Sequence, residues 1–314
     1  MQRATIDIQQ EVNRVILGKE NVVRKVLLAV LAGGHVLLED VPGVGKTTMA
    51  MAFAKTLGLD TCRVQFTSDT LPSDIIGFSV YDKATESLKY QPGAVMTNLL
   101  LADEINRTSS KTQSALLEAM EERQVTVDGV TRPLPRPFVV LATQNPVGSA
   151  GTQMLPSSQL DRFLLQLSMG YPDIRSQTML MKERHHENPL DSCRAVVDAQ
   201  KLEELCAEAM NTYVADGIYT YIAELAEATR HREEILLGLS PRGALALCRA
   251  TKANAYLEGR DYVIPEDVQE VFFSVVAHRM VVSSKARLHE KTTEMILRDI
   301  LAEVKPPHGE EWKI

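Results

Sequence analysis

Val36-Leu37-Leu38-Glu39-Asp40-Val41-Pro42-Gly43-Val44-Gly45-Lys46-Thr47-Thr48 is a short apolar run that breaks into a glycine-bearing loop and restarts as a helix. The run to Leu38 suits a strand buried on both faces. Met49, Ala50, Phe53, Ala54 and Leu57 then recur at helical spacing until Gly58 supplies a stop. Between strand and helix, Gly43 and Gly45 allow backbone N–H groups to turn inward around a phosphate, and the helix opening at Lys46 points its positive dipole end at the same anion. Pro42, Gly43, Val44, Gly45, Lys46, Thr47 and Thr48 therefore form a candidate phosphate-binding loop, with Lys46 meeting β/γ-phosphates and the Thr47 hydroxyl a Mg²⁺ ion. The general pattern has a glycine five positions before Gly45, where this chain has Asp40. An aspartate there repels phosphate unless its carboxylate points away, and the sequence leaves that direction open.

The chain bounds its own options. At 314 residues with 45% apolar composition it is long enough for two domains, divided here as 1–172 and 173–314. A formal charge of −7 without a basic block argues against a surface built to hold a nucleic-acid backbone. The first residues lack an apolar signal core, and no stretch has the ~18 uninterrupted apolar residues of a membrane span; the expectation is a cytoplasmic protein. Cys62, Cys193, Cys206 and Cys248 lack paired spacing, which predicts buried free thiols. His185-His186, with no further ligand at metal spacing, reads as a solvated helix end.

Outward from the loop, apolar stripes at Val12, Val15 and Ile16 and at Val22, Val23, Val26, Leu27 and Val30 predict two helices before the first strand. Further strands are expected at 62–66, 99–102, 138–142 and 163–167, so that five strands with intervening helices make a parallel sheet covered on both faces, an α/β fold. Residues 67–95 lose helical periodicity, with a hairpin expected from 77–81 and 88–90; Asp128-Gly129 between β-formers is a stronger hairpin signal. Beyond Tyr171-Pro172-Asp173 only helical stripes recur: 202–213 and 218–229 with Gly217 between them, a helix capped by Ser240-Pro241, another opened by Pro265-Glu266-Asp267, and a last one near 295–301. The second domain is expected to be all-helical, with a loose tail from Pro306.

Two more elements carry chemistry. Leu99-Leu100-Leu101-Ala102 delivers Asp103 and Glu104 at a strand's C-terminal end, where open α/β sheets hold ligands. One acid, Asp103, suits the metal; the other, Glu104, suits proton abstraction from an attacking water. The strand at 138–142 runs into Thr143-Gln144-Asn145-Pro146, placing the Asn145 amide where it can orient that water or touch the γ-phosphate.

These motifs, with Asp103-Glu104-Ile105-Asn106-Arg107, Gln113 through Glu122 (QSALLEAMEE) and Gln159-Leu160-Asp161-Arg162-Phe163, resemble the MoxR family of AAA+ ATPases over most of the chain. The resemblance implies an AAA+ P-loop core followed by a helical lid, ATP and Mg²⁺ as ligands, and a hexameric ring with nucleotide between subunits. It implies an insert in helix 2 at about 67–95 and a β-hairpin before the first sensor at about 124–134, both lining the pore. It makes Arg162 the arginine finger, and Arg242 of Ser240-Pro241-Arg242 the second sensor. An arginine delivered to a charge-spreading phosphoryl transition state is worth roughly 10³–10⁵ in rate. Arg242 is a cation in the first turn of a helix, opposing the dipole, which a nearby anion would explain; whether it acts in its own subunit or across the interface stays open, and Arg107 and Arg123 take no assigned role. The implied function is a chaperone or remodelling motor, with a von Willebrand factor A-domain partner and a client protein receiving maturation or a metal cofactor. A nucleic-acid translocase of the same branch and a nucleotide switch that hydrolyses negligibly are the alternatives. Charge opposes the first, and Glu104, Asn145 and Arg162 oppose the second.

Overall fold

The computed structural model describes residues 2–41, 43–145, 153–183 and 189–307. Helices α1 (Gln2–Val15) and α2 (Glu20–Leu31) precede strand β1 (Val36–Glu39), followed by α3 (Lys46–Thr56) and β2 (Thr61–Gln65). A short helix α4 (Pro72–Ile76) and the hairpin β3 (Phe78–Asp82)/β4 (Ser87–Gln91) come next, then β5 (Leu99–Asp103) and α5 (Ser110–Glu122). The second hairpin, β6 (Gln124–Val127)/β7 (Val130–Pro133), leads into β8 (Val139–Gln144), α6 (Ser157–Leu160) and β9 (Leu165–Leu167).

The sheet has five parallel strands in the order β2-β5-β8-β1-β9. Successive side chains on a strand point to opposite faces, so one stretch feeds two cores. Val36 and Leu38, Leu99 and Leu101, and Val139 and Leu141 enter the cluster with α1, α2 and α3. Leu37, Leu100, Ala102, Val140 and Ala142 enter the opposite cluster with α5 and Ile75 of α4. Burial on both faces explains why β1, β5 and β8 are continuous apolar runs without alternation.

The rest of the chain forms helices α7 (Ile174–Glu183), α8 (Pro189–Ser192), α9 (Ala199–Met210), α10 (Asp216–Arg230), α11 (Pro241–Leu257), α12 (Pro265–Val276), α13 (Ser284–Leu288) and α14 (Thr293–Glu303). Buried residues of α9, α10, α11, α12 and α14 join the cluster of α1 and α2, so the helical part shares one core with one face of the sheet.

Several expectations shift locally, each for a physical reason. The strand at 163–167 begins only at Leu165, because Arg279 takes the Phe163 carbonyl at 2.6 Å and the Leu164 carbonyl at 3.1 Å. The strand at 138–142 instead runs on to Gln144, since Thr143 and Gln144 pair with Leu38 and Glu39. Helix α4 interrupts the irregular segment: Pro72 opens it and the Asp74 carboxylate accepts the Leu71 N–H at 2.8 Å. The stripe at 202–213 ends at Met210, and Tyr213 forms an isolated bridge with Tyr262. Gly217 lies inside the first turn of α10, not between two helices. A short antiparallel pair, β10 (Ile235–Leu237) with β11 (Val281–Val282), adds to the helical part. The four cysteines are free but half-buried, not fully buried. His185-His186 and residues 308–314 of the tail lie outside the described residues.

Candidate active site

At the C-terminal edge of the sheet, β1 ends in the glycine loop. Gly43 and Gly45 have φ of +87° and +95°, a region that L side chains rarely adopt, and Gly45 caps α3. A Cβ at Gly43 would meet nothing within 4 Å, so the glycine serves backbone direction and leaves open room beside the loop's N–H groups. That is the cradle an anion needs. Pro42 lies outside the described residues.

Lys46 opens α3 and is buried, its Nζ donating to the Asp40 carbonyl at 2.6 Å and to Asn145 Oδ1 at 3.3 Å. Burial lowers its pKa, while Asp40, Asp103 and Glu104 oppose that shift. The open question about Asp40 is answered by its carboxylate: Oδ2 accepts from Gly170 N at 2.6 Å and Ser168 Oγ at 3.0 Å, and Oδ1 from Val41 N at 2.9 Å. Burial alone would raise its pKa, and these donors, with the Met169 backbone N–H, bring it below the usual value. The aspartate thus faces the turn after β9, and it is its carbonyl that holds Lys46.

Strand β5 brings Asp103 and Glu104 beside the loop. Thr47 Oγ1 lies 3.3 Å from Asp103 Oδ2, so the two expected metal ligands already touch. Thr143 Oγ1 donates to Asp103 Oδ1 at 3.3 Å and accepts the Glu104 N–H at 2.9 Å. Glu104 sits in the left-handed region, φ 57°, which turns its side chain out of the strand direction. Its Oε1 accepts from Asn145 Nδ2 at 3.0 Å, and its Oε2 from Arg107 Nη1 at 2.8 Å and Gln65 Nε2 at 3.0 Å. The Arg107 hydrogen bond, opposed by burial and helped by Asn145, holds its pKa below the usual glutamate value. Asn145 therefore bridges the cation and the acid, one amide atom to each.

Sequence reasoning passed over Arg63, whose Nε donates to Asp103 Oδ2 at 2.8 Å, and Gln65. Both stand on β2, where Gln65 pairs directly with Asp103. The available signal was a strand with polar residues at alternate positions, 61, 63 and 65, next to the acid-bearing strand.

Arg162 and Arg242 are elsewhere. Arg162 precedes β9, whose first residue pairs with Val36 at the start of β1, so it lies at the N-terminal edge of the sheet and Lys46 at the C-terminal edge. Arg242 in the first turn of α11 is there too: both arginines form ion pairs with Glu121, Arg162 Nε at 3.3 Å from Oε2 and Arg242 with Oε1. Glu104 and Asn145 therefore sit with the phosphate loop, and the two arginines sit together away from it.

Residues 35–165 match the family described as ATPase family associated with various cellular activities, and residues 227–300 match its lid domain. The chain is 39% identical over 306 residues to the chaperone MoxR1 of Mycobacterium tuberculosis, covering 95% of this chain and 81% of that one. It belongs to the MoxR family of AAA+ ATPases. It is 48% identical to the uncharacterised YeaC of Bacillus subtilis over 95% of this chain and 93% of YeaC. A solved structure of an inferred ATPase from Cytophaga hutchinsonii superposes with a TM-score of 0.91 at 37% identity, covering 98% of this chain and 96% of the other. Among the described residues, no helix of this MoxR-family chain is long and apolar enough to cross a membrane, and no group of three or more His, Cys, Asp or Glu is placed to hold a metal.

Proposed function

We propose that the chain binds and hydrolyses ATP as a ring-forming, MoxR-type chaperone or remodelling motor, with its active site shared between subunits. The observation that carries this is the network joining Lys46, Asn145 and Glu104 beside an open glycine cradle. Lys46 supplies the charge for β/γ-phosphates. Thr47 and Asp103 would hold Mg²⁺, which keeps several waters and takes one or two protein ligands alongside phosphates, so a pair suffices. When bound, that ion neutralises charge on the phosphates. Glu104, kept ionised by its donors, accepts the proton of the attacking water, and Asn145 orients that water from the same network.

The separation of Arg162 and Arg242 from Lys46 supports a reading in which both, Arg242 included, act on nucleotide held by a neighbouring copy. Residues 1–172 then serve as the ATPase core and 173–314 as the lid. The hexameric state, a cytoplasmic site of action, and a von Willebrand factor A-domain partner with a client for maturation or metal insertion follow from family membership and belong to the same proposal.

Two variants test the site. Lys46→Ala should abolish ATP binding by calorimetry and hence turnover. Glu104→Gln keeps the shape but loses the proton acceptor, so ATP should bind while turnover falls by at least ~10²-fold; near-normal hydrolysis would assign the base elsewhere. Sharing is tested by mixing. Lys46→Ala and Arg162→Ala proteins, each inactive, should regain part of the activity together, because some interfaces then pair an intact loop with an intact arginine. Mixed rings without activity at any ratio would remove the shared site.

A further inference from the structure

Arg162 and Arg242 border a cavity of about 150 Å³ at the N-terminal edge of the sheet, lined also by Arg123, Arg249 and Arg279 and by only two carboxylates, Glu121 and Asp161. Asp161 is already engaged: its Oδ1 accepts Arg279 Nε at 2.7 Å and its Oδ2 accepts Ser240 Oγ at 3.0 Å. Arg123 donates to the Gly33 carbonyl at 2.8 Å. Glu121 is left to serve both Arg162 and Arg242, and the buried Nε of Arg162 has no hydrogen-bond partner among the described residues. Arg249 has no ion-pair partner there at all, and its strongest charged neighbours are Arg123 and Arg242, which with burial lower its pKa. In a chain of formal charge −7, this concentration of unanswered positive charge is a local choice.

The placement of the ion pair itself argues that it is not there for stability. Glu121 stands in the last turn of α5, which has no basic residue to offset the unfavourable end of the dipole, and Arg242 stands in the first turn of α11, the unfavourable end for a cation. Each helix end carries the wrong charge; their mutual contact offsets it, with Arg162 also paired to Glu121, and with Arg123 at the C-cap of α5. A phosphate group carries more negative charge than a carboxylate and offers three oxygens to forked guanidinium donors, so it can take over these contacts.

We propose that Arg249 completes, with Arg162 and Arg242, a three-guanidinium site for the terminal phosphates of a nucleoside triphosphate presented by a second copy of this chain, and that Glu121 is the counter-ion filling this site until the phosphates arrive. The presentation by a second copy rests on the shared-site reading above; the anion site itself does not.

The site can be read without assembly. In a Lys46→Ala background, which disables the chain's own loop, inorganic tripolyphosphate is titrated by calorimetry. Glu121→Gln should tighten binding by about tenfold or more, since it removes the competing charge, and adding Arg249→Ala should erase that gain. Arg249→Lys, which keeps charge without the fork, should retain part of it and shows that loss is not misfolding. Unchanged affinity in Glu121→Gln, or a gain that survives Arg249→Ala, overturns the proposal. In the mixing experiment, Lys46→Ala/Arg249→Ala subunits should restore Arg162→Ala protein at least tenfold less well than Lys46→Ala subunits do. Equal restoration would reject Arg249 and leave the shared site standing. No restoration by either would reject presentation by a second copy, with the titration still deciding the anion site.

Discussion

At the scale of single residues, the site depends on which atom of a side chain is used. Asp40 departs from the general loop pattern, yet its carboxylate is spent on Ser168, Gly170 and Val41 and its carbonyl on Lys46, which settles the direction that the sequence left open. Histidines show the same dependence. His35 is fully buried, its Nδ1 accepting the Val140 N–H at 3.0 Å, which leaves Nε2 to donate to the Met120 carbonyl at 3.2 Å. Burial brings its pKa down to about 4, and burial beside Arg279 brings His278 to about 3. Both are neutral in the fold while an unfolded histidine protonates near 6.5, so the unfolded state binds more protons below that pH and stability is lost as pH falls from 6.5 toward 4. Urea unfolding across that window should show a slope approaching two protons, about 1.4 kcal/mol per pH unit for each. His35→Gln should remove about one proton from the slope; an unchanged slope would mean His35 does not titrate as a buried neutral group.

At the scale of elements, turn chemistry was the most legible feature and docking the least. Asp128 and Gly129 both have positive φ, as an Asp-Gly hairpin turn requires. The β3–β4 hairpin was legible from its β-formers, but what ties it down was not. Tyr90 donates to the Ile76 carbonyl at 2.7 Å and lies under the Arg132 guanidinium of the other hairpin at 4.1 Å, so the two hairpins are joined by a cation–π contact between residues distant in sequence. Gly93 closes the segment after β4 against α4: a Cβ there would stand 2.2 Å from Gly77 N and 2.3 Å from the Ile75 carbonyl oxygen. Both obstacles are backbone and cannot rotate away. Gly93→Ala should therefore cost about 1–3 kcal/mol and expose the β3–β4 hairpin to protease. Wild-type denaturation and cleavage patterns in that variant would show that the backbone can shift to admit a methyl group.

For the whole molecule, the decisive residue is one the sequence hides. Arg279 follows α12, is almost fully buried, and donates to Asp161 and to the carbonyls of Phe163 and Leu164. Burial lowers its pKa to about 10, against the opposing charge of Asp161, so it stays a cation through the neutral range. It thereby fixes the segment that carries Arg162 to the lid that carries Arg242. Removing one partner of a buried ion pair typically costs about 3–5 kcal/mol, so Arg279→Met should destabilise the chain by that order in urea. It should also lower turnover at temperatures where the variant is still folded. Full stability would show that the two carbonyls and Asp161 find other donors.

The sequence by itself determined the local, periodic features: the loop that leaves β1 for α3, the five strands of the sheet, the helical second half, and the acids at the end of β5. Those are short-range consequences of glycine freedom, side-chain alternation and helical spacing, and each is written within a dozen or so residues. Tertiary structure decided where the polar atoms end. It set Arg63 and Gln65 against the acids of β5, turned the Asp40 carboxylate to the far side of its strand end, and gathered arginines from positions 123, 162, 242, 249 and 279 around one cavity. Such partners are separated by tens to more than a hundred residues. Their meeting is set by the order of strands in the sheet and by the packing of the lid on α1 and α2, both of which follow from burying apolar surface and neither of which depends on the charges themselves.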